Sequence, residues 1–300
     1  MRRIAFLLGG IDDAPGKETT VAFREALAAL GWIDGRNLVI DERFAAGQAA
    51  LLQQHAQELV QRTPDVIVVR SSTALREMRR VSGAIPLVFV SVSDPVRAGY
   101  VKSLARPGGN MTGFMNLDYD MTGKWLQLLK EIAPKVTRVL ILQGANNPNW
   151  PGWLRSFEAA LPAFGLTIAP AGIKDRAEIE QAIGAFARTP NGGMIVLPDP
   201  FLAPSRAAIL ELAARHRLPA VYGGSIFNTG EGLVYYGFDQ REMGRLAAGY
   251  VDRILKGEKA GELPIQAPTK FELIISTRVA KALGLTVPAT LLVRADRVFE

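Results

Sequence analysis

Apolar runs of strand length alternate with amphipathic helical stretches along most of the chain, and this alternation constrains the fold more than any other feature. Such a pattern calls for parallel sheets covered by helices. In the first half the strands read as Ile4–Leu8, Asn37–Phe44, Val66–Arg70, Leu87–Val92 and Met111–Phe114. Helices read near Thr19–Leu30, Ala49–Arg62, Thr73–Val81 and Val96–Leu104, with Gly31 and Gly35 as the stop after the first. A helix over Met121–Ile132 opens the second half. Strands follow at Arg138–Leu142, Leu166–Pro170, Met194–Leu197, Ala220–Tyr222 and Leu233–Tyr236, with helices near Trp153–Phe164, Ala177–Arg188, Ser205–Arg215 and Glu242–Leu255. A Gly/Pro-rich connector, Gly257–Pro268, leads to a strand at Phe271–Ser276, a last helix and the tail.

The alternation runs twice, so the chain is expected to form two α/β lobes that meet at Phe114–Asp118 and again around Tyr236–Asp239. The expected lobes are 1–116 with about 239–268, and 117–238 with about 269–300. With 300 residues, 48% of them hydrophobic, two cores of ordinary size can be filled.

Composition removes several classes of function. There is no cysteine, so disulfides, thiolate nucleophiles and thiolate metal sites are excluded. The two histidines, His55 and His216, fall in separate helical stretches, which gives no metal site and no His-based triad. The net charge of +6 comes from scattered basic residues without a dense run or interleaved aromatics, so no nucleic-acid partner is expected. No apolar run approaches the ~20 residues needed to span a bilayer. Arg2-Arg3 followed by IAFLLGGI imitates a signal peptide, but Asp12-Asp13 and the lack of a small-residue cleavage site make Ile4–Leu8 a core strand instead. The expectation is an exported chain whose leader is absent from this sequence, or one that never carried a leader.

The chemistry gathers where the strands end. In IPLVFVSVSDPVRAGYVKSLARPGGNMTGFMN the apolar run stops at Ser91, Ser93 and Asp94, and Pro95 opens an expected helix. Other strands end in Gly9-Gly10, Ser71-Ser72-Thr73, Gln143-Gly144-Ala145-Asn146-Asn147, Pro198-Asp199-Pro200 and Gly223-Gly224-Ser225. Hydroxyls before a helix N-terminus suit an anion, which makes Ser71–Thr73 a candidate carboxylate cradle. Asp94 and Asp199 would balance an ammonium group, and the set together would suit a zwitterion. Each residue also has a plainer reading: Ser72, Asp94 and Ser205 as helix caps, Asn146-Asn147-Pro148 as a turn, Gly108-Gly109 as a tight loop. Trp125, Trp150, Trp153, Tyr222 and Tyr236 read mostly as core or lobe surface, with one or two available to stack on a ligand. Gly9-Gly10 matches neither the GxGxxG nor the GxxxxGK[ST] spacing. No GxSxG elbow, HExxH helix or Ser/His/Asp set is present, and a paired-carboxylate enzyme using Asp94 and Asp199 has nothing else behind it. Binding ranks above catalysis, with no cofactor and no metal.

Four segments together resemble one family: GWIDGRNLVIDERFAAG (31–47), FVSVSDPVRAGYVKSLARPGGNMTGF (89–114), LPAVYGGSIFNTGEGLVYYGFD (218–239) and APTKFELIISTRVAKALGLTVPATLLVRADRVFE (267–300). They are similar to the substrate-binding components of ABC transporters of the TrpX type. The resemblance implies a type I periplasmic binding protein: two Rossmann-like lobes with a hinge and an inter-lobe cleft, joined by three crossovers. It implies a periplasmic or exported monomer that binds a small polar ligand, with aromatic amino acids the best-attested class, and docks on an ABC permease. Carried onto this chain, the ligand-facing positions are Gly10, Ser71, Ser72, Thr73, Ser93, Asp94, Asn116, Asn147, Asp199 and Tyr222. Asn116 and Tyr236 would lie near the hinge. Arg70 departs from the small residue usual at its position, either as a second anion anchor or as a solvent-facing side chain. Two other classes fit the same fold: a ligand-sensing regulatory domain without transport, and a two-lobed glycosyltransferase, which would need a nucleotide or metal site.

Overall fold

The strands form because short runs rich in β-branched residues are apolar on both faces. Ile4, Leu7, Leu8, Val66–Val69 and Leu87–Val90 are each fully buried, as expected of parallel strands covered on both sides. The computed structural model describes residues 1–116, 119 and 121–300; Leu117 and Asp118, part of the expected first lobe junction, lie outside the described residues.

In chain order the elements are β1 (Arg2–Leu8), α1 (Ala14–Ala29), β2 (Leu38–Phe44), α2 (Ala49–Gln61), β3 (Val66–Arg70), α3 (Ser72–Arg79), β4 (Leu87–Val92) and β5 (Met111–Met115). Then come α4 (Met121–Ile132), β6 (Arg138–Gly144), α5 (Trp150–Ala160), β7 (Thr167–Ile173), α6 (Arg176–Ala187), β8 (Gly192–Val196), α7 (Arg206–Arg215), β9 (Ala220–Tyr222) and β10 (Val234–Phe238). The chain ends with α8 (Gln240–Leu255), β11 (Phe271–Ser276), α9 (Thr277–Ala282), α10 (Ala289–Arg294) and β12 (Arg297–Phe299).

The chain divides into two compact units, Met1–Asp118 with Asp239–Lys270, and Tyr119–Phe238 with Phe271–Glu300. The sheet of the first unit has the order β2-β1-β3-β4-β5, all parallel. The second unit repeats this order as β7-β6-β8-β9-β10 and adds β11, antiparallel to β10, and then β12. In the first unit α8 packs along α1. Gly244 permits that approach, because a Cβ there would lie 2.2 Å from the carbonyl oxygen of Thr19.

Two expectations change. Val96–Leu104 is a turn rather than a helix. Gly99, at φ 69°, donates to Val96, and Tyr100 donates to Pro95 (3.0 and 2.9 Å). This paired closure, with glycine in the left-handed region, ends the helix after one turn. The tail, in turn, carries a short strand that patterning did not reveal, since Arg297 and Val298 are exposed at the sheet edge.

Candidate functional site

Open parallel sheets bind ligands outside the carboxyl ends of their strands, at the point where strand order reverses. In the first unit that point lies between β1 and β3. Gly9-Gly10 and Arg70-Ser71 flank it, and the Gly9 N–H donates to the Arg70 carbonyl at 3.3 Å. Gly10 is partly exposed, and a Cβ on it would meet nothing within 4 Å.

The hydroxyls along this edge form a linked set. Ser71, not Ser72, caps α3: its Oγ accepts from the Ala74 N–H at 3.2 Å and lies 3.0 Å from Thr73 Oγ1. Ser72 Oγ instead accepts from the Ser93 N–H at 3.2 Å. Ser93 is buried and its own Oγ has no hydrogen-bond partner among the described residues. The same holds for the hydroxyl of Ser91, which sits at the irregularity in the β4–β5 register between Val90 and Val92.

This edge also stores backbone strain. Ser71 lies at φ 106°, ψ 153°, a region otherwise held almost only by glycine. Ser91 and Asp94 follow at φ 58° and 39°. Strain of this kind clusters at ligand clamps and active sites. Asp94 is half-buried and accepts from the Arg97 N–H at 3.0 Å, so it caps the single turn that replaces the expected helix. Asn116, buried at the end of β5, donates its N–H to the Val92 carbonyl at 2.8 Å.

Arg70 is partly buried. Its Nη2 donates to Gln240 Oε1 at 2.8 Å, and the same oxygen accepts from Thr19 Oγ1 at 3.0 Å. The guanidinium is therefore engaged with α1 and the start of α8 within the first unit.

The second unit has its switch point between β6 and β8, and Asp199 occupies it. One carboxylate oxygen accepts from the Gly144 N–H and from Asn147 Nδ2, both at 2.9 Å; the other accepts from the Phe201 N–H at 2.9 Å. Burial raises the carboxyl pKa, and the three hydrogen bonds offset part of that rise. Of roughly four acceptor positions on a carboxylate, three are filled from within the unit. Asn147 is equally committed, since its Oδ1 accepts from the Asn149 N–H at 3.0 Å. Both residues thus staple the turns after β6 and β8.

Tyr222 lies in the core and not at a polar edge. The residue is 1% exposed, its ring stacks on Phe227 with centroids 4.6 Å apart, and burial pushes its hydroxyl pKa upward. Trp125 and Trp153 are also core, with centroids 5.3 Å apart. Trp150 is only half-buried. Ser91 and Gln143, which stand outside the expected ligand set, also place buried side-chain polar atoms without a hydrogen-bond partner among the described residues at the ends of apolar runs.

Among the described residues no group of three or more His, Asp or Glu side chains could hold a metal ion, and no helix is long and apolar enough to cross a membrane. Residues 12–299 match the family described as ABC transporter substrate binding protein. The chain is 27% identical over 266 residues to the "Tyrosine-binding protein" of Clostridioides difficile (strain R20291), covering 88% of this chain and 75% of that one. Among solved structures it is similar to a conserved domain protein from Vibrio cholerae O1 biovar El Tor, with a TM-score of 0.91, 27% identity and 99% of each chain covered. The ABC domain in complex with L-Trp from Streptococcus pneumonia shares the fold at a TM-score of 0.91 and 21% identity, again over 99% of each chain.

Proposed function

The chain belongs to the family of ABC transporter substrate binding proteins, and on that premise we propose that it is the solute receptor of an importer for an amino acid, with aromatic amino acids the favoured class. The two units, each of the type I periplasmic binding protein kind, serve as the lobes. Ligand binding shifts them toward a closed form by its differential affinity for that form. The closed form then docks on a membrane permease and releases its cargo, so the protein works outside the cytoplasm, as a monomer and without catalysing a reaction.

The observation that carries this reading is the hydroxyl edge of the first unit. Ser71, Ser72, Thr73 and Ser93 gather beside the β1/β3 switch point on a strained backbone, where their O–H groups suit the carboxylate of an amino acid. Gly10, Asp94 and Asn116 lie at the ends of strands in the same sheet and complete that side of the proposed site. From the second unit we assign Asn147 and Asp199 to shaping the turns beside the ligand, with one acceptor position of Asp199 left for its ammonium group. The relative named tyrosine-binding protein supports the ligand class.

A thermal-shift screen across amino acids, small carboxylates and nucleobases, followed by calorimetry, tests the proposal. An authentic ligand at a hundred times its Kd stabilises the protein by about 2.7 kcal/mol. No shift with any of the twenty amino acids would refute it.

A further inference from the structure

Gln143 is the penultimate residue of β6 and is completely buried. Neither its Oε1 nor its Nε2 has a hydrogen-bond partner among the described residues. A buried amide without partners is costly, and native interiors rarely leave both of its ends unsatisfied. Its place is well defined. One residue on, the Gly144 N–H is held by Asp199 at the point where the strand order of this sheet reverses. On the other side, the register sets Gln143 opposite Gly172 of β7.

That glycine is informative. A Cβ on Gly172 would lie 3.1 Å from Trp150 Nε1, so the indole of Trp150 covers the strand directly beside Gln143. The amide thus lies next to a half-buried aromatic wall at the ligand-binding edge of the second unit.

We infer that Gln143 and Trp150 read the side chain of the ligand, with the amide pairing to a hydroxyl on an aromatic ring that packs against the indole. This assignment rests on the proposal that the ligand is an amino acid. The chemistry selects the group. An amide offers one acceptor and a donor side by side, and a phenolic hydroxyl both donates and accepts. A plain phenyl ring satisfies neither end of the amide. An indole N–H satisfies the oxygen alone and leaves Nε2 unpaired. Gln143 is completely buried, so a ring reaches its amide only when the side chains around it move aside.

The test compares L-tyrosine, L-phenylalanine and L-tryptophan by calorimetry on the full chain and on Gln143→Leu. A site built to bond a hydroxyl rejects the analogue lacking it by a factor on the order of 10⁴. The wild-type protein is expected to prefer tyrosine to phenylalanine by a ratio of that order. Gln143→Leu should bring the ratio below about tenfold, through loss of tyrosine affinity, while phenylalanine binds no more weakly than before. A tyrosine-to-phenylalanine ratio that is the same in both proteins would overturn the assignment and leave the amino-acid receptor standing. Failure of the wild-type protein to bind any of the three would count against the receptor proposal as well. Without ligand, Gln143→Leu should melt no lower than wild type, because it removes an unpaired buried amide. A lower melting temperature would mean that the amide is already paired in the free protein, and would overturn the assignment too.

Discussion

The hydroxyl of Ser72 accepts a 3.2 Å hydrogen bond from the backbone N–H of Ser93, so a side chain joins the turn after β3 to the turn after β4. Ser93 is 2% exposed, and water cannot readily replace that acceptor. Ser72→Ala is expected to destabilise the protein by about 1–3 kcal/mol and to weaken ligand binding by loosening both turns. Urea denaturation and calorimetry read the two effects. An unchanged unfolding midpoint would show that the link is dispensable.

Ser71 both caps α3 and holds a backbone conformation that side chains avoid. Glycine at this position relieves strain of about 1–3 kcal/mol and loses only a few tenths of a kcal/mol as a cap. Ser71→Gly should therefore stabilise the fold, whereas Ser71→Ala keeps the strain, loses the cap and costs about 1 kcal/mol. Opposite signs in chemical denaturation are the expected result. Both variants should bind ligand more weakly, because each removes a hydroxyl from the proposed carboxylate contact.

Two buried carboxylates should respond to pH in opposite senses. At Asp239, burial favours the neutral form, but Lys270 at 2.8 Å and the N–H groups of Glu242 and Arg241 outweigh it and lower the pKa from its ordinary 3.8. The unfolded chain then takes up its proton first. The stability supplied by Asp239 is complete above the ordinary carboxylate pKa and is lost as pH falls through the lower folded value. Asp199 has the reverse shift, chiefly from burial. Its contribution is complete below the ordinary pKa and declines as pH rises through the raised folded value. In unfolding free energies measured across acid and neutral pH, Asp239→Asn should flatten the loss below about pH 4. Asp199→Asn should remove a decline above that range.

Gly244 sets the spacing of α8 and α1. A Cβ there would lie 2.2 Å from the Thr19 carbonyl and 3.0 Å from the Phe23 nitrogen. Both are backbone atoms, so the helices must separate to make room. Gly244→Ala is expected to cost about 1–3 kcal/mol, against the small gain that alanine usually brings inside a helix. A variant as stable as the wild type would show that the helices can part freely.

Most of the strand positions were legible because a doubly buried strand leaves a continuous apolar run, as in Val66–Val69 and Leu87–Val90. The turn after Asp94 was not legible, because the left-handed closure at Gly99 overrides helix-compatible residues on either side. For the site, the hydroxyl edge of the first unit could be read directly, since Ser71–Thr73 and Ser91–Asp94 end their strands in sequence. Tyr222 could not be placed this way. It is in register with Val196 in the sheet, and its ring would touch a Cβ built on Gly232 from the helix-covered face. A shift of one residue would have turned it to the other side. The commitment of Asn147 to Asp199 spans 52 residues, and no local pattern announces such a bond.

The hydrogen bond between Thr19 and Gln240 joins residues 221 positions apart, and it has a bearing on how the molecule comes into being. Because α8 packs along α1, the flank of α1 that α8 covers stays open on the ribosome until the chain has been synthesised beyond residue 240. Contacts this distant in sequence are slow to form. The unit that holds α1 is therefore not complete until α8 has been made, and a nascent chain halted before residue 240 would display that flank of α1 to whatever chaperone or export machinery meets it.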